Sequence, residues 1–144
     1  MLAQARARNQ KAIAAGRVEL HRGDACALPV GDGELDVVFS INAVQFWRDL
    51  RVGLCEARRV LRPGGRVAIA IQPRNRDASA ADTERWQARL VDAMAEVGFE
   101  AIVPHRLASG AVPTTCVGAR RPGSSVWDDD AQRGAPARPP TMPF

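Results

Sequence analysis

Residues 23–29 read Gly-Asp-Ala-Cys-Ala-Leu-Pro, and three groups in that run could hold a flat nitrogen heterocycle. The Asp24 carboxylate is an acceptor for an exocyclic amine, the amide of Ala25 or Cys26 is a donor to a ring nitrogen, and Leu28 is an apolar wall. An adenine ring asks for that set. An Asp in such a run also has the chemistry of a simple turn cap, and taken alone Asp24 reads better that way. The second cluster is Ser-Ile-Asn-Ala-Val-Gln-Phe-Trp at 40–47, small polar groups followed by two large aromatics. Phe46 and Trp47 could wall a ligand or merely cover the end of a sheet, and the residue types leave those two readings even. Neither His21 nor His105 has a partner set for acid–base or metal chemistry, so both read as ordinary histidines and no metal is expected. Cys26, Cys55 and Cys116 are odd in number and widely spaced, which predicts reduced, mostly buried thiols rather than a disulfide framework.

The elements that must position these residues follow from periodicity. Leu2, Ala5, Asn9, Ala12 and Ile13 have helical spacing, with Gly16 as a stop. Residues 18–22 form a short β-run ending at Gly23-Asp24, and Pro29 with Gly31-Asp32-Gly33 makes the next stretch an irregular loop. Residues 35–41 are almost continuously apolar, as in a central parallel strand buried on both faces. Asp49 is placed to cap a helix with the stripe Leu50, Leu54, Ala57 and Leu61, with Arg58, Arg59 and Arg62 where cations suit the helix dipole. Pro63 ends that helix, and Gly64-Gly65 turns the chain into an apolar run at 66–72. Ser79 and Asp82 have capping-box spacing before the stripe Trp86, Leu90, Met94 and Val97, which Gly98 stops. Residues 99–103 and 114–118 are the last strand candidates. From Ala119 the composition turns to Arg, Pro, Gly, Ser and Asp, and 119–144 reads as a disordered tail in which Trp127 and Phe144 are isolated aromatics. Alternating strands and helices predict an α/β sheet with ligands beyond the carboxyl ends of its parallel strands, just after Arg22, Ile41 and Gln72.

At 144 residues and 46% hydrophobic, the chain suffices for one domain with a core and is short for two. Its apolar runs fall far short of the roughly 20 residues that a membrane span needs. Residues 1–15 lack the apolar stretch and cleavage site of a signal peptide, so no membrane and a cytoplasmic location are expected. Of the net charge of +4, Arg6, Arg8, Lys11 and Arg17 all precede the first acid, Glu19. A basic helix face without interleaved aromatics reads as solvated surface, and no nucleic-acid partner is expected.

Taken in order, Gly23-Asp24-Ala25 with Leu28-Pro29, Asp36-Val37-Val38 leading into Ser40, and Glu56 to Leu61 before Pro63-Gly64-Gly65 resemble the second half of a class I S-adenosyl-L-methionine-dependent methyltransferase of the type 11 kind. The resemblance covers residues 1–122. It implies a partial Rossmann-like sheet: the family order is 3-2-1-4-5-7-6, and this chain would supply strands 3 to 7. Strands 1 and 2, with the glycine-rich turn that holds the methionine end of the cofactor, would lie before Met1, and Met1-Leu2 matches the opening of the helix after strand 2. The expectation is an incomplete methyltransferase domain over 1–118, an N-terminally truncated form whose activity alone is in doubt. Residues 18–22 would lose their neighbour and the edge of 35–41 would stay open, unless those two segments pair directly or a second chain supplies strands.

The resemblance further implies S-adenosyl-L-methionine as cofactor, with Asp24, Ala25, Cys26, Leu28, Ser40 and Ile41 beside it and Asn42, Phe46 and Trp47 lining the place of a small-molecule methyl acceptor. No residue is assigned as catalytic, because displacement at a sulfonium gains most from positioning the nucleophile and excluding water. A homodimer is an open possibility. The alternative is a non-catalytic interaction module that pairs through its open sheet edge. Half of a nicotinamide-dependent dehydrogenase is weaker still, since the chain has no glycine fingerprint and no Tyr. The cofactor assignment requires Asp24 and Ser40 at one rim of the sheet.

Overall fold

Val67, Ile69 and Ile71 alternate with Ala68 and Ala70, so the strand that carries them is apolar on both faces and belongs in the middle of a sheet. It is there. The computed structural model describes residues 2–108 and 110–123, and β2 (Leu61–Ile71) lies between β1 (Leu35–Ile41) and β4 (Thr114–Arg120), with β3 (Glu100–Leu107) outermost. β1 runs parallel to β2, with Ser40 opposite Ile69 and Ile41 opposite Ala70. β4 is antiparallel to both β2 and β3. The order β1-β2-β4-β3 is that of strands 4-5-7-6 in the expected sheet. Pro104 falls in the outer strand β3, where a missing N–H is tolerated.

Two helices cover one face of this sheet. α2 (Leu50–Val60) starts where the Asp49 side chain accepts the Val52 N–H at 3.0 Å, and it buries Leu50, Leu54, Ala57 and Val60. α3 (Ala80–Glu96) starts at a capping box in which the Ser79 and Asp82 side chains each take the other's backbone N–H. Leu90, Ala93 and Met94 of α3 meet Leu54 and Ala57 of α2 over Val67, Ile69, Ile71 and Val117. Each fully buried side chain in that cluster contributes about 1.5–3 kcal/mol. Between α2 and the straight part of β2, Leu35 pairs with Leu61 but Val37 pairs with Arg66, so Pro63-Gly64-Gly65 forms a bulge. Gly64 has φ +73°, and a Cβ on Gly65 would stand 2.8 Å from the Arg62 carbonyl oxygen.

Among the described residues the other face is bare. Phe39, Ala68, Gly118 and Val103 make one cross-strand row, and Ile41, Ala70, Cys116 and His105 make the next. Val37, Phe39 and Ile41 are 47%, 71% and 64% exposed, so β1 is covered on one face only, and the expectation of a strand buried on both is corrected. Residues 18–22 are irregular and join no ladder; among the described residues the sheet has four strands where five were expected. Backbone extension needs a neighbour's N–H and C=O groups to become a strand, and β1 pairs with β2 rather than with 18–22. α1 (Leu2–Ala14) forms as its spacing predicts, yet it buries none of its residues.

The C-terminal boundary also moves. β4 continues to Arg120, two residues beyond the expected end, and Ala119 is buried. The Arg121 guanidinium donates to the carbonyls of Arg58, Arg59 and Leu61, oxygens that the end of α2 leaves without helical partners. An arginine in that role looks, in composition, like the start of a polar tail. The rest of the expected tail, 124–144 with Trp127 and Phe144, lies outside the described residues. Cys26 is buried as expected, whereas Cys55 is exposed on α2. No described helix is long and apolar enough to cross a membrane.

Candidate functional site

β1 and β2 end side by side at Ile41 and Ile71, and Asn42 ties the two ends together. It has φ +50°, a left-handed conformation that Asn tolerates better than most residues. Its N–H donates to the Ala70 carbonyl at 2.9 Å, and its Oδ1 accepts the Gln72 N–H at 2.8 Å. The Gln45 amide donates to the Asn42 carbonyl at 3.0 Å, and a single 3-10 turn, Val44–Phe46, follows. Val44 plugs into the core. Trp47 then folds back on α2 at Gly53, where a Cβ would come within 2.4 Å of the indole.

The loop that begins at Asp24 lies along the flank of α2. Asp24 Oδ1 accepts the Cys26 N–H at 2.9 Å, its carbonyl accepts the Ala27 N–H at 3.0 Å, and Oδ2 stands 4.0 Å from the Arg48 guanidinium. The Cys26 thiol donates to the Asp49 carbonyl at 3.4 Å. Those contacts set the start of the loop against the first turn of α2, the end of the molecule where β1 finishes. Further on, Glu56 Oε2 accepts the Leu28 N–H at 2.9 Å. Arg59 donates to the carbonyls of Leu28 at 3.2 Å and Val30 at 2.9 Å, and to the Asp32 carboxylate at 2.6 Å. Its own carbonyl takes the Gly33 N–H at 2.9 Å. The hydrogen bonds from the Arg59 side chain and then from the Leu28 N–H bring the Glu56 carboxyl down to about 2, while Glu56 first and Asp32 second push the Arg59 guanidinium upward.

The loop at Asp24 is therefore tied to the end of the sheet at which β1, with Ser40 as its second-last residue, finishes. The turn-cap chemistry of Asp24 is realised as well: one carboxylate oxygen closes the turn and the other faces Arg48. Of the two amides proposed as donors, that of Cys26 is taken by Asp24, and that of Ala25 makes no hydrogen bond among the described residues. Leu28 is half-buried. Ser40 points to the helix-covered side, and its Oγ is shielded from solvent without a hydrogen-bond partner. Ile41, one residue on, points to the bare side, because strand side chains alternate. Their side chains cannot line the same hollow. Asn42 Oδ1 is engaged with the Gln72 amide, Phe46 is 81% exposed, and Trp47 is half-buried against Gly53 and the core.

Two hollows open at the rim. The larger, about 790 Å³, has Trp47 and Arg48 on one side and Trp86 and Arg89 of α3 on the other. The smaller, about 370 Å³, lies between Phe46 and the Gln72–Asn75 stretch after β2. Trp86 borders both, with the Arg89 guanidinium 5.0 Å above its ring. Helical spacing had made Trp86 simply the first member of a core stripe. The signal that it also reaches the rim is its place in the early turns of a helix that follows β2 directly.

A family model described as a methyltransferase domain matches residues 1–69. The chain is similar to part of a class I methyltransferase domain. Among curated relatives, the uncharacterized methyltransferase YdaC of Bacillus subtilis (strain 168) is 34% identical over 85 residues, 59% of this chain and 47% of that protein. The chain thus spans about half the length of that methyltransferase. Phosphoethanolamine N-methyltransferase 2 of Haemonchus contortus, solved in complex with S-adenosyl-L-methionine, superposes with a TM-score of 0.65 at 17% identity, covering 85% of this chain and 41% of that one. The [4+2]-cyclase SpnF superposes with a TM-score of 0.67 at 16% identity, covering 85% and 64%. A cyclase on the same fold means that the fold alone does not name the reaction. S-adenosyl-L-methionine is the cofactor of this methyltransferase class. The unengaged Ala25 amide is a donor that suits such a ligand.

Proposed function

We propose that this chain forms the adenine wall and the acceptor wall of an S-adenosyl-L-methionine-dependent methyltransferase acting on a small molecule. One arrangement supports the reading: the loop starting at Asp24 is tied to Arg48 and Asp49, at the end of the sheet where the parallel strands β1 and β2 finish. When bound, the cofactor supplies an electrophilic methyl group on a sulfonium. The chain supplies position. Asp24 Oδ2 accepts from the adenine amine, the Ala25 N–H donates to a ring nitrogen, and Leu28 covers a face. Ser40 and Ile41 at the end of β1 supply backbone that passes beside the cofactor. Asn42 fixes the rim while Phe46 and Trp47 shield the acceptor side from water, which is where a displacement gains most.

Titration of the labelled 144-residue chain with S-adenosylhomocysteine, followed by amide NMR, tests this. Shifts are expected at Ala25, Cys26, Leu28 and Ser40, with a Kd of about 1 mM or weaker, about 4 kcal/mol or less. No response at those amides up to several times that concentration, or a response only elsewhere, would sink the proposal. Binding far tighter than that would mean that the glycine-rich turn of the family is dispensable. A second reading is favoured by one observation, the open edge of β1 with Phe39 and Ile41 exposed: the chain pairs through that edge, with a second copy as the simplest partner.

A further inference from the structure

The stretch from Asp24 to Gly33 contains no helix and no strand, only one isolated bridge between Asp24 and Ala27. Such a segment holds a fixed position only through what it is tied to. Its start is tied by the Cys26 thiol on Asp49. Its middle is tied by two side chains one turn apart on α2. Glu56 accepts the Leu28 N–H, and Arg59 donates to the Leu28 and Val30 carbonyls and to Asp32. Arg59 and Glu56 also bond each other twice, at 2.8 Å through Nε and 2.8 Å through Nη2. A planar guanidinium is needed here, because one head group serves a carboxylate on its own helix and three acceptors across the gap.

An ordinary surface ion pair at this spacing would stabilise α2 by a few tenths of a kcal/mol and do nothing else. The geometry is different. Most of the hydrogen bonds that these two side chains make cross to the loop. Glu56 takes a donor from residue 28, and Arg59 gives donors to residues 28, 30 and 32, so the pair reads backbone polarity and not merely charge.

We propose that the Glu56–Arg59 pair is the positioning device of the cofactor-facing loop, pinning residues 28–33 to α2 and thereby fixing where Asp24 and Ala25 meet the ligand. The proposal rests on the loop being the adenine wall. Neither side chain touches the cofactor.

Three variants of the full chain decide it: E56Q, R59A and the charge-swapped E56R/R59E. Hydrogen exchange is read at the amides of Cys26, Ala27, Leu28, Val30 and Gly33, with 67–71 of β2 as the internal standard. E56Q and R59A should speed exchange in the loop by about tenfold or more and leave β2 unchanged. The swapped pair keeps its ion pair but faces donors with donors and acceptors with acceptors, so it should not restore protection. If the pair is only a helix-surface ion pair, the swap restores the wild-type pattern and the proposal fails. It fails equally if R59A leaves the loop amides as slow as before. In the same samples, S-adenosylhomocysteine should perturb Ala25 at least severalfold more weakly in R59A than in wild type; an equal response would leave a tether without a positioning role, which also overturns it. Silence in the wild type would overturn the adenine-wall reading instead, while exchange still scores the tether.

Discussion

Asn42 carries more of the rim than its size suggests. It sits at φ +50°, closes one more rung between β1 and β2 through its backbone, and uses its side-chain oxygen to satisfy the Gln72 amide. Asn42→Ala removes that acceptor and puts a Cβ-bearing residue without local hydrogen bonding into a left-handed conformation. A loss of about 1–2 kcal/mol in urea unfolding is expected, with Asn42→Gly milder because only the acceptor is lost. Equal stabilities for Asn42→Ala and the wild type would show that the tie is idle. The sequence placed Asn42 correctly, just beyond an apolar strand, but offered it to the acceptor. Which hydrogen bond a side-chain amide makes depends on how far a neighbouring strand extends, and nothing local to 40–47 encodes that Gln72 ends alongside. The same holds for Asp24, whose turn-cap chemistry is legible in Gly-Asp-Ala but whose second oxygen is set facing Arg48 only by the fold.

At the scale of elements, α2 is the most informative piece of the chain. Its cap and stripe are local, and Asp49 and Leu54 announce them in sequence, but it ends at Val60, before the stop expected at Pro63, because Leu61 and Arg62 already belong to β2. Its outer flank is not local: Glu56 and Arg59 look like a routine pair until residues 28–33 are seen lying against them. This has a pH signature. Glu56 has a folded-state value lowered from 4.5 to about 2 by Arg59 and the Leu28 N–H, so its stabilising contribution is complete above about 4.5 and disappears as pH falls through about 2. Wild type should lose more stability than E56Q between pH 5 and pH 3, read as the change in urea midpoint. Identical changes would mean that Glu56 is no better held in the folded chain than in the unfolded one. Asp82 is also lowered, chiefly by the Ser79 side chain, and contributes equally to both proteins. The strands divide in the same manner as the helix. β2 is legible because its own residues specify burial, whereas 18–22 has β-forming residues and no ladder among the described residues, since pairing is a property of two segments and not of one.

At the scale of the whole molecule, the decisive fact is that, among the described residues, helices cover one face of the sheet and the other is open. Phe39, Ile41, Val103 and Leu107 stand on that open side around a floor of Ala68, Ala70, Cys116 and Gly118. The free flank of β1 has neither Pro nor Lys to discourage pairing. Sedimentation at micromolar to tens of micromolar concentration should therefore reveal self-association of the wild-type chain. Phe39→Lys with Ile41→Lys should abolish it while leaving the fold intact, because both side chains are already largely in water. A wild type that stays monomeric over that range would rule out the pairing reading. The small side chains of the floor let a covering element approach the sheet backbone closely, which favours tight cover over loose contact. Melting curves of such a chain do not report one number: dilution moves the midpoint by mass action, so its resistance to heat is set jointly by the residues and by how many copies share the tube.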